Sequence, residues 1–383
     1  MQAGFPPPQS ARSQKLQRIL CEAIAANGPI PFSRFMEAAL YEPGLGYYRN
    51  DVLPWGGDGD YITAPQVHPA LGVSIARMAV ELDGSLGRPD PFVAVEIGSG
   101  NGALAAAFLD AVRRSAPNLW RRLRFVSVER GPAARAAQTW PATPGAGVEV
   151  VESLEELPDR FEGLVYGNEL LDAFPVERVR GVDASFEQLF VDCRDGRLRE
   201  IGLQPAATEL RRYLERNQIE LGAGQVADIC LGIEPWIDAL SARLSAGGVL
   251  MVDYGHDTPA LFGPSRQHGT LVAQQRFVLS DEILERPGDQ DLTAHVDWGN
   301  LRRLGIEREF MWAGECSLGV FLIGMGATEQ LPGQEVAARM ALRHLLVSEI
   351  AEAHRVVFLH RDIPGQAPVF GRSRLEPERG DSD

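Results

Sequence analysis

The stretch Val93–Ala103, "VAVEIGSGNGA", constrains this chain more than any other. A short apolar run ends in three glycines at every second residue. Apolar runs without polar alternation belong to strands buried on both faces, and so to a parallel sheet covered by helices. Glycines at the end of such a strand let the backbone turn sharply and approach a ligand. Similar runs recur at Arg124–Val128, Val148–Val151, Leu164–Gly167 and Val249–Tyr254, with a helical stretch over Ala103–Arg114 between the first two strands. The expectation is an α/β, Rossmann-like architecture.

Two parsings of the loop compete. Gly98-x-Gly100-x-x-Ala103 is a dinucleotide fingerprint, whereas Glu96-Ile97-Gly98-x-Gly100-x-Gly102 is the nucleotide loop of an S-adenosylmethionine (SAM) methyltransferase. A pyrophosphate wants backbone N–H groups and a helix N-terminus. SAM brings an ammonium, a sulfonium and a carboxylate, and an acid such as Glu96 at the strand end suits that cationic group. Glu129, at the tip of "FVSVER", would take ribose hydroxyls in either class. A pair of apolar runs at Glu309–Ala313 and Leu318–Gly324, joined by Gly314-Glu315-Cys316, reads as an antiparallel ending, which methyltransferase sheets have and dinucleotide folds usually lack. Together these favour SAM.

The chain before the sheet reads as helical. Leu16, Ile19, Leu20, Ala23 and Ile24 recur at helical spacing, Ser33 is placed to cap a second helix running to Leu40, and a third run covers Leu71–Leu82. Asp195-Gly196 between alternating runs marks a hairpin, with a helix to follow near Ala207–Asn217. The organisation expected is therefore a helical extension and cofactor-covering loop over 1–85, a core over 86–175 and 226–326, and an inserted β-hairpin/helix arm over 176–225. One or two terminal helices follow over 327–370, with a disordered tail over 371–383.

A net charge of −15 lacks the basic face that nucleic-acid binding needs. No apolar run reaches membrane-spanning length. Cys21, Cys193, Cys230 and Cys316 form no C-x-x-C pair, so free thiols, no zinc or other metal site, no disulfide and a cytoplasmic location are expected.

After the fourth strand, "YGNELLDAFPV" places Asn168, Glu169 and Asp172 where strand ends meet the cofactor cleft. With it, "ALYEPGLGYY", "GGDGDYITAPQ", "EIGSGNGAL" and "DLTAHVDW" complete a set of five motifs. On these the chain resembles, from about Pro31 to about Gly326, the MidA-like family of SAM-dependent methyltransferases, which includes the mitochondrial complex I assembly methyltransferase. The resemblance implies a class I methyltransferase fold with SAM contacts at Gly98, Gly100 and Glu129, and with Asp60, Ile62 and Thr63 closing over the cofactor. It puts Asn168, Glu169 and Asp172 towards the target, and for the mitochondrial member it implies methylation of an arginine in a respiratory-complex subunit. Ser99, Asn101 and Gln66 depart from the family's usual Pro, Arg and Glu.

The resemblance implies an arginine of a protein partner, such as a respiratory NADH dehydrogenase subunit, as the target, and for such a planar guanidinium Glu169 and Asp172 would supply paired carboxylates. Asp291, Thr293, His295, Asp297, His256, Tyr47, Tyr48 and Trp55 are further candidates for the cleft. A SAM-binding assembly factor with little turnover and an NAD-dependent oxidoreductase are the competing readings, and a homo-oligomer is compatible with all of them.

Overall fold

The glycine-loop strand, β1 (Phe92–Ile97), is buried at every residue. In the computed structural model, which describes residues 8–50, 60, 62–140, 147–183, 185–204, 206–330 and 335–365, it is an interior strand of a sheet. The other strands are β2 (Leu123–Val128), β3 (Gly147–Val151), β4 (Phe161–Asn168), β5 (Leu244–His256), β6 (Met311–Ser317) and β7 (His354–Arg361). Their spatial order is β3-β2-β1-β4-β5-β7-β6. Strands β1 to β5 pair in parallel, while β7 is antiparallel to both β5 and β6. The order reverses at β1, so the clefts beyond the carboxyl ends of β1 and β4 form the ligand-binding side of such a sheet.

The reversed strand is not where the sequence pattern put it. Strand β6 runs through the expected turn at Gly314-Glu315-Cys316, and Leu318–Gly324 is a helix whose first turn is capped by Ser317, its Oγ accepting the Val320 N–H at 3.4 Å. A seven-residue apolar run fits a buried helix as well as a strand, and here the cap decides. The antiparallel strand lies instead at His354–Arg361, inside the segment expected to be terminal helices, after helices at Val336–Val347 and Glu349–Ala353.

Helices cover both faces. On one side α3 (Ala70–Ser85) and α4 (Ala103–Ser115) pack with Phe92, Phe125 and Tyr166, and on the other the helices Ile233–Arg243 and Trp298–Glu307 pack with Val95, Val165 and Val249. Above the strand ends, α1 (Ala11–Asn27) and α2 (Phe32–Tyr41) bury Leu16, Leu20, Phe35 and Leu40. Helix α2 starts at Phe32 rather than behind Ser33, whose hydroxyl donates to Glu177 instead.

The arm forms an antiparallel sheet in which the Asp195-Gly196 hairpin joins Ser185–Arg194 to Arg197–Leu203. Ile30–Pro31 adds to this sheet on one side and Val226–Ile229 beyond Glu177–Val182 on the other. A second small sheet, Val272–Gln275, Val278–Ser280 and Asp291–Thr293, interrupts the expected core between β5 and the helix Trp298–Glu307. The expectation of four free thiols is corrected: Cys21 on α1 is disulfide-bonded to Cys193 on the arm, 172 residues away. Local sequence carries no sign of that pairing, which arises because α1 packs along the arm strand. Trp55 and the expected tail over 371–383 lie outside the described residues.

Candidate active site

Gly98, Gly100 and Gly102 adopt φ of +71°, +53° and +81°, a region open to glycine and costly for other residues. The Gly98 N–H donates to the Val128 carbonyl at 2.8 Å, Gly102 N–H to Ser99 O at 2.8 Å, and Gly100 N–H to Glu129 Oε2 at 2.8 Å. Glu129 Oε1 accepts the Gly131 N–H at 2.6 Å, and burial raises this carboxyl group above its usual range. These three N–H groups are engaged within the chain, that of Gly100 by a carboxylate, an arrangement that favours the SAM parsing over one built around a pyrophosphate.

The two unusual loop residues acquire a physical role. Ser99 Oγ hydrogen-bonds Ser127 Oγ on β2, and Asn101 Oδ1 accepts the Ala103 N–H at 3.2 Å at the start of α4. Gln66 has one too: its side-chain oxygen accepts the Thr63 N–H at 3.1 Å and holds the entry to the short helix Ala64–Val67. Thr63 thus leads into a turn against α4, and Ile62 is exposed.

Glu96 lies in β1 opposite Tyr166 of β4 and is 2% exposed. Burial, with the charge of Glu129 added, pushes its pKa up to about 8 although the Tyr166 hydroxyl beside it favours the charged form. A buried carboxyl group below the loop, a second carboxylate at the tip of β2 and a cradle of left-handed glycines suit a cationic nucleoside cofactor. The residues present fit SAM.

The next strand end holds the acids. Asn168 ends β4 and its Nδ2 donates to Glu169 Oε1 at 3.0 Å. Glu169 sits at φ +49°, an unfavourable conformation for a non-glycine residue, fixed by its N–H donating to Val252 O at 2.8 Å. The following turn is organised by Asp253 of β5, whose Oδ2 accepts the N–H groups of Leu170 (3.0 Å), Leu171 (2.8 Å) and Asp172 (3.3 Å). Leu170 in that turn reaches the glycine loop: a Cβ on Gly98 would stand 3.0 Å from its Cδ1.

Asp172 is buried, and desolvation, followed by the charges of Asp253, Glu169 and Asp291, raises its pKa well above the carboxylate range. Asp291 joins the group from the second small sheet. The Tyr48 hydroxyl lies 2.8 Å from each of its carboxyl oxygens, and burial pushes it up to about 7 despite that bond. Tyr47 donates to Asp60 Oδ2 at 2.9 Å, and the charge of Asp60 also raises Asp291. Asp60 is therefore tied to the acid cluster.

A row of rings borders the acids. His354 Nε2 lies 3.5 Å from Glu169 Oε1, and its ring centroid is 4.0 Å from Tyr254. Tyr254 stacks on His295 at 6.3 Å, and His295 lies 5.3 Å from His256. Burial, with His256 and Arg266 nearby, lowers His295 to about 4, so its ring is neutral at pH 7. Asp297 is structural: it caps the helix Trp298–Glu307 through Asn300 N–H and accepts hydroxyls from Tyr213 and Thr258. Sequence reasoning missed Asp253 and His354. Asp253 carries the same signal as Glu96, an acid at the end of an apolar strand, whereas His354 lay in a stretch read as helix. Among the described residues no three His, Cys, Asp or Glu side chains are grouped as a metal site.

Seven strands in this order, with a glycine loop after β1 and acids at the ends of β1, β2 and β4, define a class I SAM-dependent methyltransferase. The family model described as "Putative S-adenosyl-L-methionine-dependent methyltransferase" matches residues 74–315, and the chain belongs to that family, the MidA-like methyltransferases. It is 29% identical over 348 residues to the mitochondrial protein arginine methyltransferase NDUFAF7 homolog of Drosophila melanogaster, covering 82% of this chain and 76% of that one. Identity to the Mus musculus NDUFAF7 is 27% over 357 residues, covering 86% and 78%. The fold superposes with a TM-score of 0.84 and 29% identity on a "likely methyl transferase from Burkholderia thailandensis bound to S-adenosyl-homocysteine", covering 94% of this chain and 96% of that one. The protein is a SAM-dependent methyltransferase, and SAM is its cofactor.

Proposed function

We propose that the protein methylates an arginine side chain of a protein substrate. The observation that carries this reading is the cluster of Glu169, Asp172 and Asp291 beside the SAM loop, with Asp253 fixing the turn between the first two. A guanidinium is planar, permanently charged and offers donors in a fork, so carboxylates on two sides of it can hold its positive charge on one edge and leave the other nitrogen richer in electrons. Bound SAM supplies a methyl group on a sulfonium that already carries its leaving group. The chain must then align the nitrogen, an effect worth roughly 7–11 kcal/mol in well-oriented reactions, and accept the proton released. A carboxylate held by Asn168 and close to His354 is placed for that at Glu169 Oε1. The names of the relatives, protein arginine methyltransferases, agree with this reading. The resemblance to the complex I assembly methyltransferase makes a respiratory NADH dehydrogenase subunit the first acceptor to try.

The test is transfer of labelled methyl from SAM into proteins extracted from cells lacking the gene, followed by hydrolysis and amino-acid analysis. Label should appear in methylarginine; Glu169→Gln should reduce it by about 100-fold, as loss of a proton-accepting group does, and Asp172→Asn should reduce it through weaker hold on the guanidinium, both with S-adenosylhomocysteine affinity retained. Label in lysine or in a small molecule, or no label at all, refutes the arginine reading.

A further inference from the structure

The second small sheet carries a hairpin tip unsuited to water. Between Val272–Gln275 and Val278–Ser280 the two turn residues are Arg276 and Phe277, both left-handed at φ +48° and +63°. Two-residue hairpin turns of that shape are normally made by Asn-Gly or Gly-Gly. Phe277, Val278 and Leu279 are 56%, 49% and 63% exposed, three large apolar side chains in a row where a solvent-facing strand would alternate. Among the described residues, Val278–Ser280 pairs with a strand on one side only.

The tip is also wired to the acids. Asp60 Oδ1 accepts the Arg276 N–H at 2.9 Å and Asp60 O accepts the Phe277 N–H at 2.8 Å, while Asp60 Oδ2 takes the Tyr47 hydroxyl. The next residue, Tyr48, holds Asp291. Asp60, Tyr47 and Tyr48 therefore link the apolar tip to the acid cluster. An occupant of both places needs apolar side chains followed within a few residues by a cationic one, and a chain of net charge −15 attracts such a segment.

We propose that Phe277–Leu279 is the docking surface for an extended apolar and basic segment of the protein substrate, which lays its apolar side chains on the tip and its target side chain among Asp291, Asp172 and Glu169. This rests on the protein-substrate reading above. The main-chain edge of Val278–Ser280 and the exposed side chains supply the two components of strand-type peptide recognition.

The experiment compares wild type with Phe277→Ser/Leu279→Ser in three measurements: S-adenosylhomocysteine affinity by calorimetry, methyl incorporation into extract proteins of gene-lacking cells at low and high acceptor concentration, and sedimentation. The expected result is unchanged S-adenosylhomocysteine affinity, with incorporation reduced about tenfold at low acceptor and largely recovered at high acceptor, as loss of one apolar anchor would give. Equal incorporation by variant and wild type overturns the proposal alone. Absence of transfer by the wild type overturns the protein-substrate reading and the proposal with it. A variant that loses S-adenosylhomocysteine affinity places the tip in the support of the cofactor site and overturns docking. A wild-type dimer that the substitutions dissociate, with incorporation intact, makes the tip a contact between copies and likewise overturns it.

Discussion

Asp291 is 3% exposed and faces Asp60 and Glu169, so losing its proton is unfavourable although Tyr48 and the Leu292 N–H hold the charged form. Its folded pKa, near 7, lies above the ordinary value of about 3.9. The folded state then binds a proton that the unfolded chain gives up between these two values, and the stabilisation is complete below pH 4 and lost as the pH rises through 7. Asp291→Asn keeps the shape without the charge. It should therefore melt at a higher temperature than wild type at pH 8, with the difference shrinking towards pH 5, while methyl transfer falls. A melting difference independent of pH would show that Asp291 is not the titrating group. The same buried acid that weakens the empty protein at neutral pH is available to meet a cation, which is how a site trades stability for recognition.

The glycine loop and the turn Glu169–Asp172 differ in how far the sequence reveals them. Three glycines at positive φ and an acid at each strand end are local properties, so the loop, β1 to β5 and the acids of "GNELLDAF" could be read directly. The support of the turn is not local. Asp253 comes from the adjacent strand 81 residues later, and His354 from a strand whose place between β5 and β6 depends on three-dimensional pairing. The reversed strand was misplaced because Leu318–Gly324 and His354–Arg361 are both short apolar runs whose identity is settled by caps and neighbours. The turn makes its own prediction. In Asp253→Asn an amide group must face either the Leu170–Asp172 donors or the Tyr254 N–H, so some bonds are lost whichever way it is turned. Stability should fall by about 1–3 kcal/mol, read by denaturant titration, and methyl transfer should fall further than S-adenosylhomocysteine affinity, because the loop is held by Val128, Ser99 and Glu129. Equal losses in both would mean that loop and turn move as one body through Leu170.

At the scale of the whole molecule, the sheet carries the cofactor loop while the cover is assembled from the N-terminal helices, the arm and the second small sheet, which share one apolar cluster. Chain segments so distant in sequence lose much freedom on being held together, and the Cys21–Cys193 bond removes part of that freedom from the unfolded chain in advance. Losing a native disulfide commonly costs about 2–5 kcal/mol. Reductant should therefore lower the melting temperature of the wild type, and Cys21→Ser/Cys193→Ser should melt near the reduced wild type and ignore reductant. The remaining thiols make this a clean comparison: burial pushes Cys230 and Cys316 each up to about 12, which leaves both as unreactive thiols near neutral pH. Because the bond joins α1 to the arm and does not touch β1, S-adenosylhomocysteine affinity should survive reduction, while transfer to a protein acceptor should weaken as the cover loosens. If the double variant still responds to reductant, the bond between α1 and the arm is not the one that holds the cover; if cofactor affinity falls with it, the cover and the sheet are a single cooperative unit rather than a lid on a finished core.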